Sequence, residues 1–298
     1  MNIPILLVFF NREDTIVQLI SKLAEIKPSV LYLACDGGRT PNEHLLVESI
    51  RETVISSINW ECEVYKNYSD TNLGCKYAVH RAIQWFFSCV PEGIVLEDDC
   101  IPSSAFFCHA EQMLNLYRDD HSIATIAARN ELIQFNPGQP VYCSKFFCWG
   151  WASWADRILG IDVETGYTKD LAPTFYDEYG LFESFHIRGI QQLMIKNIVS
   201  SWAYSYDLHF RSSNQLNVLP PYNYIKNIGL SQGAHSNGSI DYDKHAVSSE
   251  ELSIECFDIN PTKTKGYIEA YLIKKYGYIK LFLFPFIGLI KKLKQFRI

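Results

Sequence analysis

The first 130 residues switch repeatedly between two hydrophobic rhythms, and few folds accept that alternation. Ile3 to Phe10 is one continuous apolar run, as expected of a strand covered on both faces. From Thr15 to Ile26 the rhythm turns helical, with Ile16, Leu19, Ile20 and Leu23 on one stripe. Further strands are expected at Val30–Ala34, Cys62–Tyr65, Gly93–Leu96 and Ile123–Ala127. Helices are expected at Asn42–Ile58, Tyr77–Phe87 and Ser103–Tyr117. This order builds a mostly parallel α/β sheet flanked by helices, which holds ligands at the carboxyl ends of its strands. The second half is less regular. It is aromatic-rich from Phe146 to Trp154, helical near Ile187–Asn197 and loop-like from Pro220 to Ser239.

Composition narrows the class. Apolar residues make up 48% and charged residues 20%, which excludes a disordered chain and a chain of membrane spans. The formal charge of −6 argues against a general nucleic-acid binder, which needs a basic footprint. The nine cysteines are odd in number and contain no Cys-x-x-Cys pair, so free, buried thiols in a reducing compartment are expected. Cys143 and Cys148 lack the further ligands a zinc site needs. No basic region or cleavage site accompanies the first apolar run, so a cytoplasmic placement is expected.

The sharpest chemical signal is Glu97-Asp98-Asp99, directly after the strand Gly93–Leu96. Alone, three adjacent acids read as a solvated turn. At the end of the fourth strand of a parallel sheet, mutual repulsion makes sense if a divalent cation is present. Hard oxygens suit Mg²⁺ or Mn²⁺, which bridge to a diphosphate. Upstream, Asp70-Thr-Asn-Leu-Gly74 is expected to form a turn that includes Asn72, in which Gly74 lets the backbone approach a ligand, with Lys76 expected near the phosphates. There is no Walker loop and no Gly-x-Gly-x-x-Gly, which counts against an ATPase and a nicotinamide enzyme.

Three stretches together carry a resemblance: Asn72-Leu-Gly-Cys75, Gly93-Ile-Val-Leu-Glu-Asp-Asp-Cys-Ile-Pro102 and Phe106-Phe107. It continues through Phe147-Cys-Trp-Gly-Trp-Ala-Ser-Trp154, Ser201-Trp202, and Asn227-Ile-Gly229 followed by His235. The chain resembles bacterial glycosyltransferases of the nucleotide-diphospho-sugar transferase (GT-A) fold, similar in layout to N-acetylglucosaminyltransferase I of the Golgi. The resemblance implies a basic residue near the nucleotide or its phosphates at Arg12, and an acceptor for the uracil N–H at Asp36, next to Gly37. It implies a direct metal ligand at Asp99, with Glu97 and Asp98 on metal-bound water, ribose or sugar. It places His235 in a nucleotide-closing loop. An inverting transferase also needs a proton acceptor. The resemblance implies a carboxylate after Trp202, where this chain has Ala203. Asp207, on the same face if this stretch is helical, and Glu131 are the two replacements.

The expected organisation is a nucleotide-sugar-binding half over 1–130, an acceptor-side half of the same unit over 131–266, and a tail over 267–298. From Tyr267 the tail has seven Lys or Arg and one Glu, so it carries +6. Its run Leu281–Ile290 would extend about 15 Å as a helix, half of the roughly 30 Å needed to span a bilayer. Two readings stay open: an interfacial segment on anionic lipid at the inner face of the plasma membrane, or a helix packed on the body with solvated lysines. The expected activity is metal-dependent (Mn²⁺ or Mg²⁺) transfer from a nucleotide-diphosphate sugar, a UDP-sugar first, to a carbohydrate or glycolipid acceptor in surface polysaccharide or glycolipid assembly. The rivals are a sugar nucleotidyltransferase and a catalytically dead sugar-nucleotide-binding protein.

Overall fold

In the computed structural model, residues 2–134, 140–165, 180–229 and 261–287 are described. The first strand, β1 (Ile5–Phe9), is buried along its whole length. It pairs in parallel with β2 (Val30–Cys35) on one side and β4 (Glu92–Glu97) on the other, and β3 (Glu63–Tyr68) extends the sheet beyond β2. Alternation sends Ile5, Leu7 and Phe9 to one face and Leu6 and Val8 to the other. Helices α1 (Glu13–Ile26) and α2 (Pro41–Ser57) cover the first face with Ile16, Leu19, Ile50 and Val54. Helix α3 (Cys75–Cys89) covers the second with Val79, Ile83 and Phe86. The start of α2 is fixed locally: Thr40 accepts from the Glu43 N–H at 3.2 Å, and Pro41 occupies the first turn.

Past β4 the sheet becomes mixed. Helix α4 (Ser104–Leu116) leads to β6 (Ile123–Ala127), but β4 and β6 do not touch. The strand β8 (Trp151–Trp154) lies between them, antiparallel to both, with Ala152 opposite Ile94 and Ile126. Beyond β6 come β9 (Leu216–Leu219) and then β7 (Val141–Cys143), giving the order β3-β2-β1-β4-β8-β6-β9-β7. Six of the eight strands run parallel, so the expected mostly parallel α/β sheet flanked by helices is the observed one. The aromatic segment read as irregular therefore supplies a central strand, and Trp151 is fully buried within it.

A short antiparallel ribbon joins β5 (Cys100–Pro102) to β10 (Ile225–Asn227). It brings the segment up to Gly229 against the end of β4. The remaining helices are a single turn α5 (Ala155–Ile158), then α6 (Leu181–Ile195), α7 (Trp202–Ser212), α8 (Pro261–Tyr276) and α9 (Tyr278–Leu283), followed by a 3₁₀ turn at Phe284–Phe286. The first part of the basic tail packs on the body. Ile268, Tyr271, Leu272, Leu281 and Phe284 share a third core cluster with Ile187, Ile190 and Leu193 of α6. Among the described residues no helix is long and apolar enough to cross a membrane. The eight described cysteines are all free.

Candidate nucleotide-sugar site

A cleft of about 780 Å³ opens at the carboxyl ends of β1 to β4 and is walled by α3. Arg12, Asp36, Asn72, Gly74, Glu97 and Asp98 line it, so residues spread over 87 positions of sequence meet in one place. The topology dictates this, because parallel strands deliver every one of their carboxyl ends to the same edge.

The acid cluster ends β4. The Asp98 N–H donates to Val8 O at 3.0 Å, which extends the β1–β4 pairing to the first cleft residue. The Arg12 guanidinium bridges the two aspartates: Nη1 donates to Asp99 Oδ2 at 2.9 Å, and Nη2 donates to Asp98 Oδ1. Burial pushes the Asp98 carboxyl up to about 6, against the pull of Arg12. Asp99 also accepts from Asn227 Nδ2 at 3.1 Å, and its carbonyl accepts from the Ile228 N–H at 2.9 Å. Gly229 sits so close that a Cβ there would lie 2.2 Å from Asp99 Oδ2 and 2.6 Å from Arg12 Nη1. Only glycine lets this backbone cap the ion pair.

Glu97 differs from its neighbours. No hydrogen-bond donor among the described residues reaches its carboxylate. Burial, then the charges of Asp99 and Asp98, push it up to about 8. Among the described residues no three His, Cys, Asp or Glu side chains form a ready-made cation cage. A Mg²⁺-type ion held mainly by phosphates and water needs only one or two carboxylates. Glu97 lines the cleft with no donor among the described residues on its carboxylate, a place a divalent cation would fit, and Asp99, which is not among the cleft-lining residues, is the neighbouring hard oxygen donor.

On the other wall, Asp36 is 8% exposed and anchors the Asn72–Gly74 turn. Its Oδ1 accepts from the N–H groups of Gly37 (2.9 Å) and Leu73 (2.8 Å). Its Oδ2 accepts from Asn72 Nδ2 and the Gly74 N–H, both at 3.0 Å. A carboxylate offers about four lone-pair directions, and the turn fills three of them and Gly37 the fourth. The expected acceptor for a base N–H is thus built as a clamp. Asn72 Nδ2 also donates to Gly37 O at 2.8 Å. Gly74 takes φ +77° at the N-cap of α3, which no L side chain adopts readily. Lys76 does not line the cleft; its ammonium lies 5.1 Å from the Tyr77 ring centroid.

Arg51 was not singled out in the sequence. It is buried, donates to Asp36 O at 3.1 Å and Ser69 O at 2.7 Å, and lies over the Tyr68 ring. It ties the ends of β2 and β3 together. The signal was a charge on the buried Val47–Ile50–Val54 stripe of α2.

Both expected proton acceptors are engaged. Asp207 is on a helix, as required, but its Oδ1 accepts from the Phe146 N–H at 2.7 Å and its Oδ2 from Arg211 Nε at 3.0 Å. Arg211 in turn donates to Glu183 at 2.8 Å and Ser144 at 3.2 Å, all buried. This corrects the expectation for Asp207: it belongs to a buried ionic network that holds α6 and α7 to the sheet. Glu131 accepts from Arg129 Nε at 3.4 Å and from the Tyr271 hydroxyl, with Lys275 Nζ 4.0 Å away. Of the three tryptophans in the Phe147–Trp154 stretch, Trp151 and Trp154 are core, and Trp149 is half-buried with the Arg129 guanidinium 4.7 Å from its ring centroid. His235 lies outside the described residues.

No protein-family model and no curated protein matches the sequence. Among solved structures, a mannosyltransferase from Pyrobaculum calidifontis in complex with GDP-Man and Mn²⁺ is similar at 11% identity and TM-score 0.39, over 72% of this chain and 70% of that one. A UDP-glucose pyrophosphorylase complexed with UDP-glucose is similar at 10% identity and TM-score 0.35, over 76% of this chain and 92% of that one. With TM-scores below 0.5 these likenesses carry no weight on function.

Proposed function

We propose that this chain is a metal-dependent glycosyltransferase of the GT-A type, taking a sugar from a nucleotide-diphosphate donor, a UDP-sugar first, to a carbohydrate or glycolipid acceptor. The observation that carries the reading is the acid cluster at the end of β4, whose Glu97 and Asp98 line a cleft of about 780 Å³ together with the clamped turn residues Asn72 and Gly74. Asp99 and Glu97 would hold Mn²⁺ or Mg²⁺. When bound, such an ion supplies Lewis-acid neutralisation of the leaving diphosphate.

The protein's own groups do the rest. Arg12, paired to Asp98 and Asp99, would stand beside the diphosphate and add a positive charge there. Asp36 and Arg51 hold the β2 and β3 loops in the shape that receives the nucleoside. Of the two expected acids, Glu131 is the one outside the buried Arg211 network, and we assign it the acceptor proton. Arg129 Nε lies 3.4 Å and Lys275 Nζ 4.0 Å from its carboxylate.

One observation favours a second reading. Ala203 stands where a carboxylate is expected, and Asp207 is locked into the scaffold, as in a binding protein without turnover. Incubating the protein with UDP-sugars and Mn²⁺ and following UDP release separates the two. A nucleotidyltransferase would instead release pyrophosphate from a nucleoside triphosphate and a sugar phosphate.

A further inference from the structure

The short helix α9 and the turn after it are apolar on both sides. Leu281 and Phe284 point inward, fully buried; the Phe284 ring lies 5.0 Å from His186 and 5.3 Å from Tyr276. The opposite side carries Tyr278, Phe282 and Phe286 at i, i+4 and i+8, with Ile279 and Leu283 beside them. All five are exposed, Ile279 at 80% and Phe282 at 60%. Helix α6 widens the surface: Leu181 is exposed, and the Phe182 and Phe185 rings lie 5.4 Å from Tyr278 and 5.9 Å from Phe282. A helix that is hydrophobic all round needs a second apolar environment.

The charge around this face selects that environment. Lys280 and Lys274 are exposed beside it. After Glu269 the sequence contains seven Lys or Arg and no acid. Aromatic and aliphatic side chains on one face with lysines at its borders match the acyl–headgroup boundary of a bilayer containing anionic lipid. The segment is too short to span, so it lies in the plane of the surface.

We infer that the face formed by Tyr278, Ile279, Phe282, Leu283 and Phe286 docks the protein on anionic membranes. Tyr271 and Lys275 on the preceding helix reach Glu131, the acid assigned the acceptor proton under the proposed function. A lipid-linked acceptor would arrive there. The docking itself does not depend on the transfer reading, and its assay needs no turnover.

The test is co-sedimentation of the full chain with vesicles of phosphatidylcholine, alone or mixed with phosphatidylglycerol, at low and high salt. Binding is expected to the mixed vesicles at low salt and to weaken as salt rises. Ile279→Asp with Phe282→Asp removes only exposed side chains, so the fold should survive, as a melting curve would verify. That variant should bind at least about tenfold more weakly. A wild-type protein that ignores mixed vesicles at low salt overturns the inference. So does a double variant that binds as well as wild type. Sedimentation velocity covers the other occupant: a dimer dissolved by the double substitution, without vesicle binding, means that a second copy covers this face.

Discussion

Asp36, expected from the resemblance to accept a base N–H, has both carboxylate oxygens engaged by donors of the protein. Its position after β2 marked it in the sequence, but three of its four N–H partners come from a turn 36 to 38 residues away, the fourth being the neighbouring Gly37. No local pattern shows such closure. Asp36→Asn keeps the shape and turns acceptor positions into donors facing N–H groups. Hydrogen bonds to charged groups are worth about 1.5–3 kcal/mol each, so melting temperature and nucleotide affinity should fall together. A loss of affinity with unchanged melting would mean direct contact with the base. Asp207→Ala should cost about 3 kcal/mol or more, because Arg211 loses a buried carboxylate partner, while turnover per folded molecule persists. Glu131→Gln should lower turnover about 10²–10⁴-fold with donor affinity unchanged. Full activity in that variant would remove Glu131 from the proton transfer.

At the scale of elements, α1 to α4 and β1 to β4 were legible because each is continuous, amphipathic or fully buried, and paired to a neighbour close in sequence. Observed bounds differ from the expected ones by a few residues at most. The strand β8 was not legible. Four residues, Trp151–Trp154, cannot show a period, and their partners Ile94 and Ile126 are remote. The ribbon β5–β10 failed for the same reason, although it sets Asn227 and Gly229 on Asp99. The tail was half legible: its charge was plain, but burial of Ile268 and Leu272 depends on a surface supplied by α6. Gly189 is the contact point, since a Cβ there would lie 2.5 Å from Phe284 Cδ1. Gly189→Val should lever the 278–287 segment away and expose it to limited proteolysis before the sheet melts. Cleavage no faster than in wild type would show that the packing is not essential to hold the segment.

For the whole molecule, stability should fall on the acid side. His109 is buried, and neither ring nitrogen has a hydrogen-bond partner among the described residues. Burial depresses its folded-state value to about 3, against an unfolded value near 6.5. Between these values the unfolded chain binds a proton that the folded chain does not. Its contribution is therefore intact above about pH 6.5 and declines by up to about 1.4 kcal/mol per pH unit as pH falls towards 3. Urea titrations at several pH values should show a flatter acid limb in His109→Phe; an unchanged slope would place the proton uptake elsewhere. The arrangement of the whole sheet exists to bring β1, β2 and β4 to one cleft edge, and the most direct test addresses that edge. Calorimetric titration of UDP into the wild-type protein and into Asp99→Asn, with and without Mn²⁺, should show saturable binding that requires Mn²⁺ and is lost in the variant, whose melting temperature stays near that of wild type. UDP binding of equal affinity without Mn²⁺, or undiminished in Asp99→Asn, would contradict a metal-assisted diphosphate site at the end of β4.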